Sequence, residues 1–163
     1  MGYQQNTFAR NLRTNVTHTI GVIVPRLNSY FMSSVIAGIE NIASTAGYNL
    51  IISQSLESAK KELTNIATMY NSRIDGILVS LAADTDDDHV FDVFMRKEIP
   101  LVYFDRVFDS PGAISVVIDN VRAGYDATQH LIDQGCRRIL HIGGNQKRNV
   151  YTDRFLGYKM ALA

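Results

Sequence analysis

The sequence predicts an α/β fold: a doubly wound, mostly parallel sheet with helices on its faces. Two observations carry this prediction. Short apolar runs recur at fairly even intervals, and most are continuous rather than alternating, the pattern of strands buried on both faces. Longer amphipathic stretches separate the runs, so strand and helix alternate, and right-handed crossovers then keep the strands parallel.

The first strand is expected at residues 20–24. Beyond it, Val35, Ile39, Ile42 and Ala46 fall at helical spacing, and Gly47 supplies a C-terminal stop. Strands at 50–53 and 77–79 bracket a second helix, marked by Leu63, Ile66, Ala67 and Tyr70. Val90, Val93 and Phe94 mark a third helix before a strand at 101–104. A fifth strand is expected at 115–118. Asp119-Asn120 can cap the helix that follows, which ends before Gly135. Residues 139–142 read as a sixth strand. Gly143-Gly144 then breaks the pattern, and residues 152–163 read as a last helix. Residues 3–19 stand apart: they are polar, carry Arg10 and Arg13, and include no strand. A helix this short is marginal in water, so residues 3–14 are expected to be poorly ordered without a partner.

A chain of 163 residues suffices for one domain and can bury roughly 68–70% of its unfolded surface. The formal net charge is zero, so any nucleic-acid contact must be local rather than a property of the whole surface. The single cysteine, Cys136, excludes an internal disulfide framework and fits a reducing cytoplasm. No apolar run approaches the roughly 18 residues of a membrane span. Met1-Gly2-Tyr3-Gln4-Gln5-Asn6 lacks the charged and apolar regions of a signal peptide, so a cytoplasmic, non-membrane protein is expected.

Ligands of open α/β sheets sit beyond the carboxyl ends of the strands. The residues there are Asn28, Ser29, Tyr30 and Phe31 after the first strand and Ser80 after the third. Asp105 and Arg106 follow the fourth, and Asp119 follows the fifth. Converging aromatics, a carboxylate and a guanidinium suit a polar, ring-shaped molecule. The rings give flat apolar contact while Asp and Arg pair with hydroxyls. The bland alternative stays open: Tyr30 and Phe31 as helix-start core, and Asp105–Arg106 as a surface ion pair. Asp84, Asp86, Asp87, Asp88 and His89 lack the spacing of a calcium loop and read as a helix start favoured by the dipole. Gly143-Gly144 belongs to neither phosphate-loop pattern. No nucleophile and base assemble, so no enzyme, metal or cofactor is expected.

Tyr3-Gln4-Gln5-Asn6-Thr7-Phe8-Ala9-Arg10-Asn11-Leu12-Arg13, then Thr17-His18-Thr19-Ile20-Gly21-Val22-Ile23-Val24-Pro25, resembles the linker and first strand of the LacI/GalR family. The family linker reads Tyr-x-Pro-Asn-x-x-Ala-Arg-x-Leu, so Gln5 departs from its proline, which loosens the start of the hinge helix. The resemblance continues through Gly38-Ile39-Glu40, Asp75-Gly76-Ile77, Ile99-Pro100-Leu101-Val102, Ile118-Asp119-Asn120 and Arg137-Arg138-Ile139. It implies the first lobe of a type I periplasmic-binding-protein-like fold, with the beginning of the second. Residues 1–19 would be hinge, 20–133 the first lobe and 134–163 the start of the second, with residues 139–142 as its first strand. It also implies a longer regulator whose helix-turn-helix headpiece and most of whose second lobe lie outside these residues, separated by a cloning boundary or by proteolysis.

Residue by residue, the resemblance assigns Thr7, Arg10 and Leu12 to the DNA-binding hinge. Leu12 matches the leucine that wedges into the minor groove, and Arg10 can reach phosphate. Asn28, Tyr30 and Phe31 match first-lobe effector positions. Asp105-Arg106 resembles the pair that grips sugar hydroxyls, and Asp119 and Arg154 match further contacts. Arg148 matches a contact of purine-sensing members, but Val150 lacks the polar group found nearby in those, so a sugar or sugar derivative is the expected effector. The implied partners are that effector, operator DNA and a second copy of the chain. A sugar-binding transport protein of the same fold is the alternative, and a nucleotide-dependent enzyme a more distant one.

Overall fold

The computed structural model describes residues 16–108 and 112–163. Five strands, β1 (Thr19–Val24), β2 (Asn49–Gln54), β3 (Gly76–Val79), β4 (Leu101–Phe104) and β5 (Ile114–Val116), form one sheet. Its order is β2-β1-β3-β4-β5 and every pairing is parallel. Thr19 pairs with Asn49, Ile20 with Gly76, Ile77 with Leu101 and Val102 with Ile114, so the carboxyl ends of the strands finish on one edge.

The helices are α1 (Tyr30–Thr45), α2 (Ala59–Asn71), α3 (Asp92–Met95), α4 (Asn120–Asp133) and α5 (Asn149–Leu162). Local chemistry sets several ends. Ser29 accepts from the Met32 amide, Ser58 from Lys61 and Asp119 from Arg122, each occupying an amide the helix cannot pair itself. Gly47 and Gly135, at φ +79° and +85°, take the left-handed conformation that stops α1 and α4.

The continuous runs are buried on both faces of the sheet, as their pattern requires. On one face Ile23, Ile77, Val79 and Tyr103 pack with Ile66, Met69, Phe91 and Phe94. On the other, Val22, Val24 and Phe104 pack with Met32, Val35, Ile36 and Ile39. The two edge strands are the exceptions: β2 has no fully buried residue, with Ile52 38% exposed, and in β5 Ile114 and Val116 are 64% and 61% exposed.

Four expectations need correction. Residues 139–142 form no strand: no described strand lies beside them to complete a ladder, and Leu140 and Ile142 are 83% and 88% exposed. The segment is held instead by α5, where the Tyr158 hydroxyl donates to the Ile139 carbonyl (2.9 Å) and His141 lies against Phe155 and Tyr158. The third helix is only a 3₁₀ turn (Asp88–Phe91) leading into the single turn of α3. The last helix begins at Asn149, three residues before the expected start at residue 152. On α1 and α2 the periodic residues Ile42 and Leu63 face out, 69% and 52% exposed, while the carboxylate of Glu62 is fully buried. It is tolerated there because it accepts from the Ala82 amide (2.8 Å) and the Thr85 hydroxyl (2.7 Å).

Helices α4 and α5 make the most extensive contact between any two elements, and glycine lets them approach. Gly124 lies against the Arg154 backbone and Gly157 against the Val121 carbonyl, both places where a Cβ would not fit. Among the described residues, no helix is long and apolar enough to cross a membrane.

Candidate functional site

The loops leaving β1, β4 and β5, with the first turns of α5, enclose a cavity of about 580 Å³ at the carboxyl edge of the sheet. That volume is in the range of small-molecule sites. Phe31 and Val35 of α1, Phe104, and Val116, Val117 and Ile118 give it apolar walls, joined by Val150 of α5. The polar groups reaching it are Asp105, Arg106, Asn120, Tyr151 and Arg154.

Asp105 sits where β4 ends, in the left-handed region at φ +60°. Aspartate is among the few side chains that visit this region readily. Its backbone is pinned on both sides: its amide donates to the Val116 carbonyl (3.1 Å), and its carbonyl accepts from Asn149 Nδ2 (3.0 Å). Asn149 also accepts from the Val107 amide (3.1 Å), so one side chain ties the start of α5 to the exit of β4. The Asp105 carboxylate accepts from the Ser80 hydroxyl (3.4 Å).

Burial pushes the Asp105 carboxyl above the ordinary aspartate range, and the charge of Arg106, the Ser80 hydrogen bond and Arg154 only partly oppose it. A carboxyl raised on folding favours the folded state fully below its unfolded value and loses that contribution as pH rises through the folded one. The stability of the native protein relative to Asp105→Asn is therefore expected to fall as pH rises from about 4 toward 7. Urea unfolding of both proteins across that range measures it, and a pH-independent difference would show that the carboxyl is not desolvated.

Arg106 is held from two sides. Its Nη1 donates to Glu57 Oε2 (2.7 Å) and its Nη2 to the Tyr151 hydroxyl (3.0 Å), with the guanidinium 5.6 Å from the Tyr151 ring centre. Only 14% of its side chain is exposed. Burial works against the charge, but the hydrogen bond and charge of Glu57 outweigh it and hold the guanidinium above its ordinary value. Also lining the cavity, Arg154 donates from Nε to Asn120 Oδ1 (2.8 Å).

Of the effector positions expected from sequence, Phe31, Asp105, Arg106 and Arg154 come together here. Asn28 and Tyr30 do not line the cavity, and Tyr30 is 90% exposed. Asp119 caps α4 through the Arg122 amide (2.8 Å). Arg148 points elsewhere. Its guanidinium donates to the carbonyls of Thr85 and Ala83 and lies 5.4 Å from the Phe108 ring centre, with 2% of the side chain exposed. Thr7, Arg10 and Leu12 lie outside the described residues, as does the whole of segment 3–14. Asp87, the carboxylate of the acidic run nearest a helix start, caps the 3₁₀ turn by accepting from the His89 amide (2.9 Å).

Glu57, Asn120, Asn149 and Tyr151 escaped the sequence reading. Their partners lie 34 to 49 residues away, beyond the reach of any local pattern. Asn120 was visible only as half of a capping pair. An apolar cleft with a carboxylate, two guanidiniums and an amide among its lining can hold a small molecule that is flat and apolar on one face and hydroxylated on its edges.

Residues 17–163 match the family model described as periplasmic binding proteins and sugar binding domain of LacI family. The chain is 34% identical to the ribose operon repressor of Haemophilus influenzae, over 100% of its own length and 48% of that protein's. Among solved structures it resembles the Cra transcriptional dual regulator of Pseudomonas putida in complex with fructose 1-phosphate (TM-score 0.83, 26% identity, 90% of this chain, 54% of that one). It also resembles a periplasmic binding protein/LacI transcriptional regulator of Alkaliphilus metalliredigens complexed with D-xylulofuranose (TM-score 0.77, 29% identity, 88% and 52%). The chain thus spans about half the length of the relatives it matches.

Proposed function

The chain belongs to the family of periplasmic binding proteins and LacI-type sugar-binding domains, and from that membership we propose that it is the effector-binding region of a transcriptional regulator that senses a sugar or sugar derivative. The observation that carries this reading is the cavity where Phe31, Asp105, Arg106 and Arg154 meet beyond the strand ends. In this reading residues 1–19 are the hinge to a DNA-reading headpiece, with Thr7, Arg10 and Leu12 meeting operator DNA. Residues 20–133 are the first lobe and 134–163 begin the second. Phe31 stacks on the ligand, and Asp105 and Arg106 bind its hydroxyls from the first lobe. Arg154 reaches across from α5, as an arm of the second lobe would.

The remaining positions act at one remove. Arg148 secures the loop at 83–85 behind the cleft, Asp119 sets the direction of α4, and Asn28 and Tyr30 stand just outside the cavity. The regulator acts as a homodimer, because a two-fold operator is read by a two-fold protein. A transport protein with the same fold is the second reading, and the names of the relatives, repressors and regulators, favour the first.

The test is a thermal-shift screen of neutral and phosphorylated sugars, followed by operator binding by the full-length regulator with and without the hit. A ligand that binds only the native state at a hundred times its Kd adds about 2.7 kcal/mol, a rise of roughly 5–10 °C for a chain this size. No shift with any sugar, or operator binding indifferent to the sugar that shifts, would overturn the proposal.

A further inference from the structure

We propose that Glu57 sets the ligand class of this cleft: by pairing with Arg106 it removes the charge that a phosphate or carboxylate group would need, so the site takes neutral sugars and rejects anionic ones. The proposal rests on reading the cavity as an effector site and asks which kind of sugar it admits.

The charges at the cleft balance. Arg106 and Arg154 bring two positive charges, while Asp105 at the cavity and Glu57 behind Arg106 bring two negative ones. A phosphate monoester carries close to two negative charges at neutral pH. To enter it would leave water for walls that are largely apolar and offer no surplus positive charge, which is unfavourable for any ion. A hydroxyl needs only neutral hydrogen bonds and meets no such barrier.

Arg106 keeps donors for a ligand, and Glu57 acts on it through charge. Tight phosphate binding by arginine uses two parallel N–H groups as a fork. Here a hydrogen on each terminal nitrogen is already committed, one to Glu57 and one to the Tyr151 hydroxyl. Three hydrogens remain, one on each terminal nitrogen and one on Nε, so donors are still available and it is the charge, neutralised by Glu57, that disfavours an anion.

Glu57 is also held in place at a cost. Leu56 and Glu57 are consecutive non-glycine residues in the left-handed region, at φ +54° and +64°. Strained backbone of this kind tends to gather at functional sites and persists only where surrounding contacts hold it. The contact here is specific: Glu57 Oε2 accepts from both Arg106 Nη1 (2.7 Å) and the Ala83 amide (3.1 Å).

Because one oxygen makes both bonds, Glu57→Gln can keep them through its amide oxygen while losing the charge. Calorimetric titrations of the native protein and Glu57→Gln would use inorganic phosphate, D-ribose with D-ribose 5-phosphate, and D-fructose with D-fructose 1-phosphate. The variant is expected to bind phosphate and the phosphorylated sugars about tenfold more tightly than the native protein. Affinity for whichever neutral sugar binds should stay within about threefold, and the gain for anions should shrink with added salt. Equal phosphate affinities in the two proteins, or native binding of a phosphorylated sugar tighter than its parent, would overturn the proposal. If no sugar binds either protein while phosphate still separates them, the effector reading fails and the charge role of Glu57 is supported.

Discussion

Replacing Arg106 with Ala is expected to lower effector affinity about ten- to a hundredfold, since losing a charged hydrogen-bond partner costs on the order of 1.5–3 kcal/mol. The side chain is held between Glu57 and the Tyr151 hydroxyl. Its removal takes donors from the ligand and leaves the partly buried Glu57 carboxylate with the Ala83 amide (3.1 Å) in place of a full charge partner. A stability loss of about 1–2 kcal/mol should therefore accompany the loss of affinity. In the full-length regulator, operator binding in the absence of effector should not change, because the proposed hinge residues Thr7, Arg10 and Leu12 are remote in sequence from this pair. Calorimetric titration of native and variant protein with the sugar found by screening decides the matter. Equal affinities would remove Arg106 from the site.

The largest expected effect on stability comes from Gly157→Ala. The new Cβ would fall on the Val121 carbonyl oxygen and within 2.6 Å of the Tyr125 amide nitrogen and 3.0 Å of the Gly124 carbonyl carbon. All three are backbone atoms of α4, so no rotamer change relieves the clash and the helices must separate. Overpacking of this kind costs about 3 kcal/mol, the upper end of the usual range because the obstacle is rigid. That corresponds to a drop in Tm of roughly 6–12 °C. Effector affinity should fall with it, because α5 carries Tyr151 and Arg154 into the cavity. Gly38→Ala is the matching control. It lies within α1 with nothing within 4 Å of the added Cβ, and there alanine should stabilise by about 0.5–1 kcal/mol through helix propensity. Equal thermal transitions for the two variants would show that the glycine crossing does not hold α4 and α5 together.

Most of the sheet was legible in the sequence, because a parallel strand buried on both faces must be continuously apolar over four to six residues. That signature located β1 to β4 within a residue or two. Helix ends were legible for a similar reason: Asp119, Gly47 and Gly135 act on backbone groups only a few positions away. The same logic failed at residues 139–142, which carry a strand's composition but have no described neighbour to pair with. A strand is a property of two segments, and one segment's sequence cannot supply the other. It failed again at Ile42 and Leu63, where helical period was right but the sheet covers a different stripe of each helix.

The site divides along the same line. Asp105 and Arg106 could be named from sequence because they follow a strand, and strand ends are where such sheets bind ligands. Phe31 could be named on the same ground, while Arg154 needed the family resemblance to be singled out. That Arg106 is paired with Glu57 rather than with its neighbour Asp105, and that Arg148 turns away to the 83–85 loop, followed from neither. Those side chains meet partners 49 to 65 residues distant. Local sequence determines which backbone conformations are cheap; which charge finds which partner is decided only when the folded chain brings distant loops to one edge and excludes water between them.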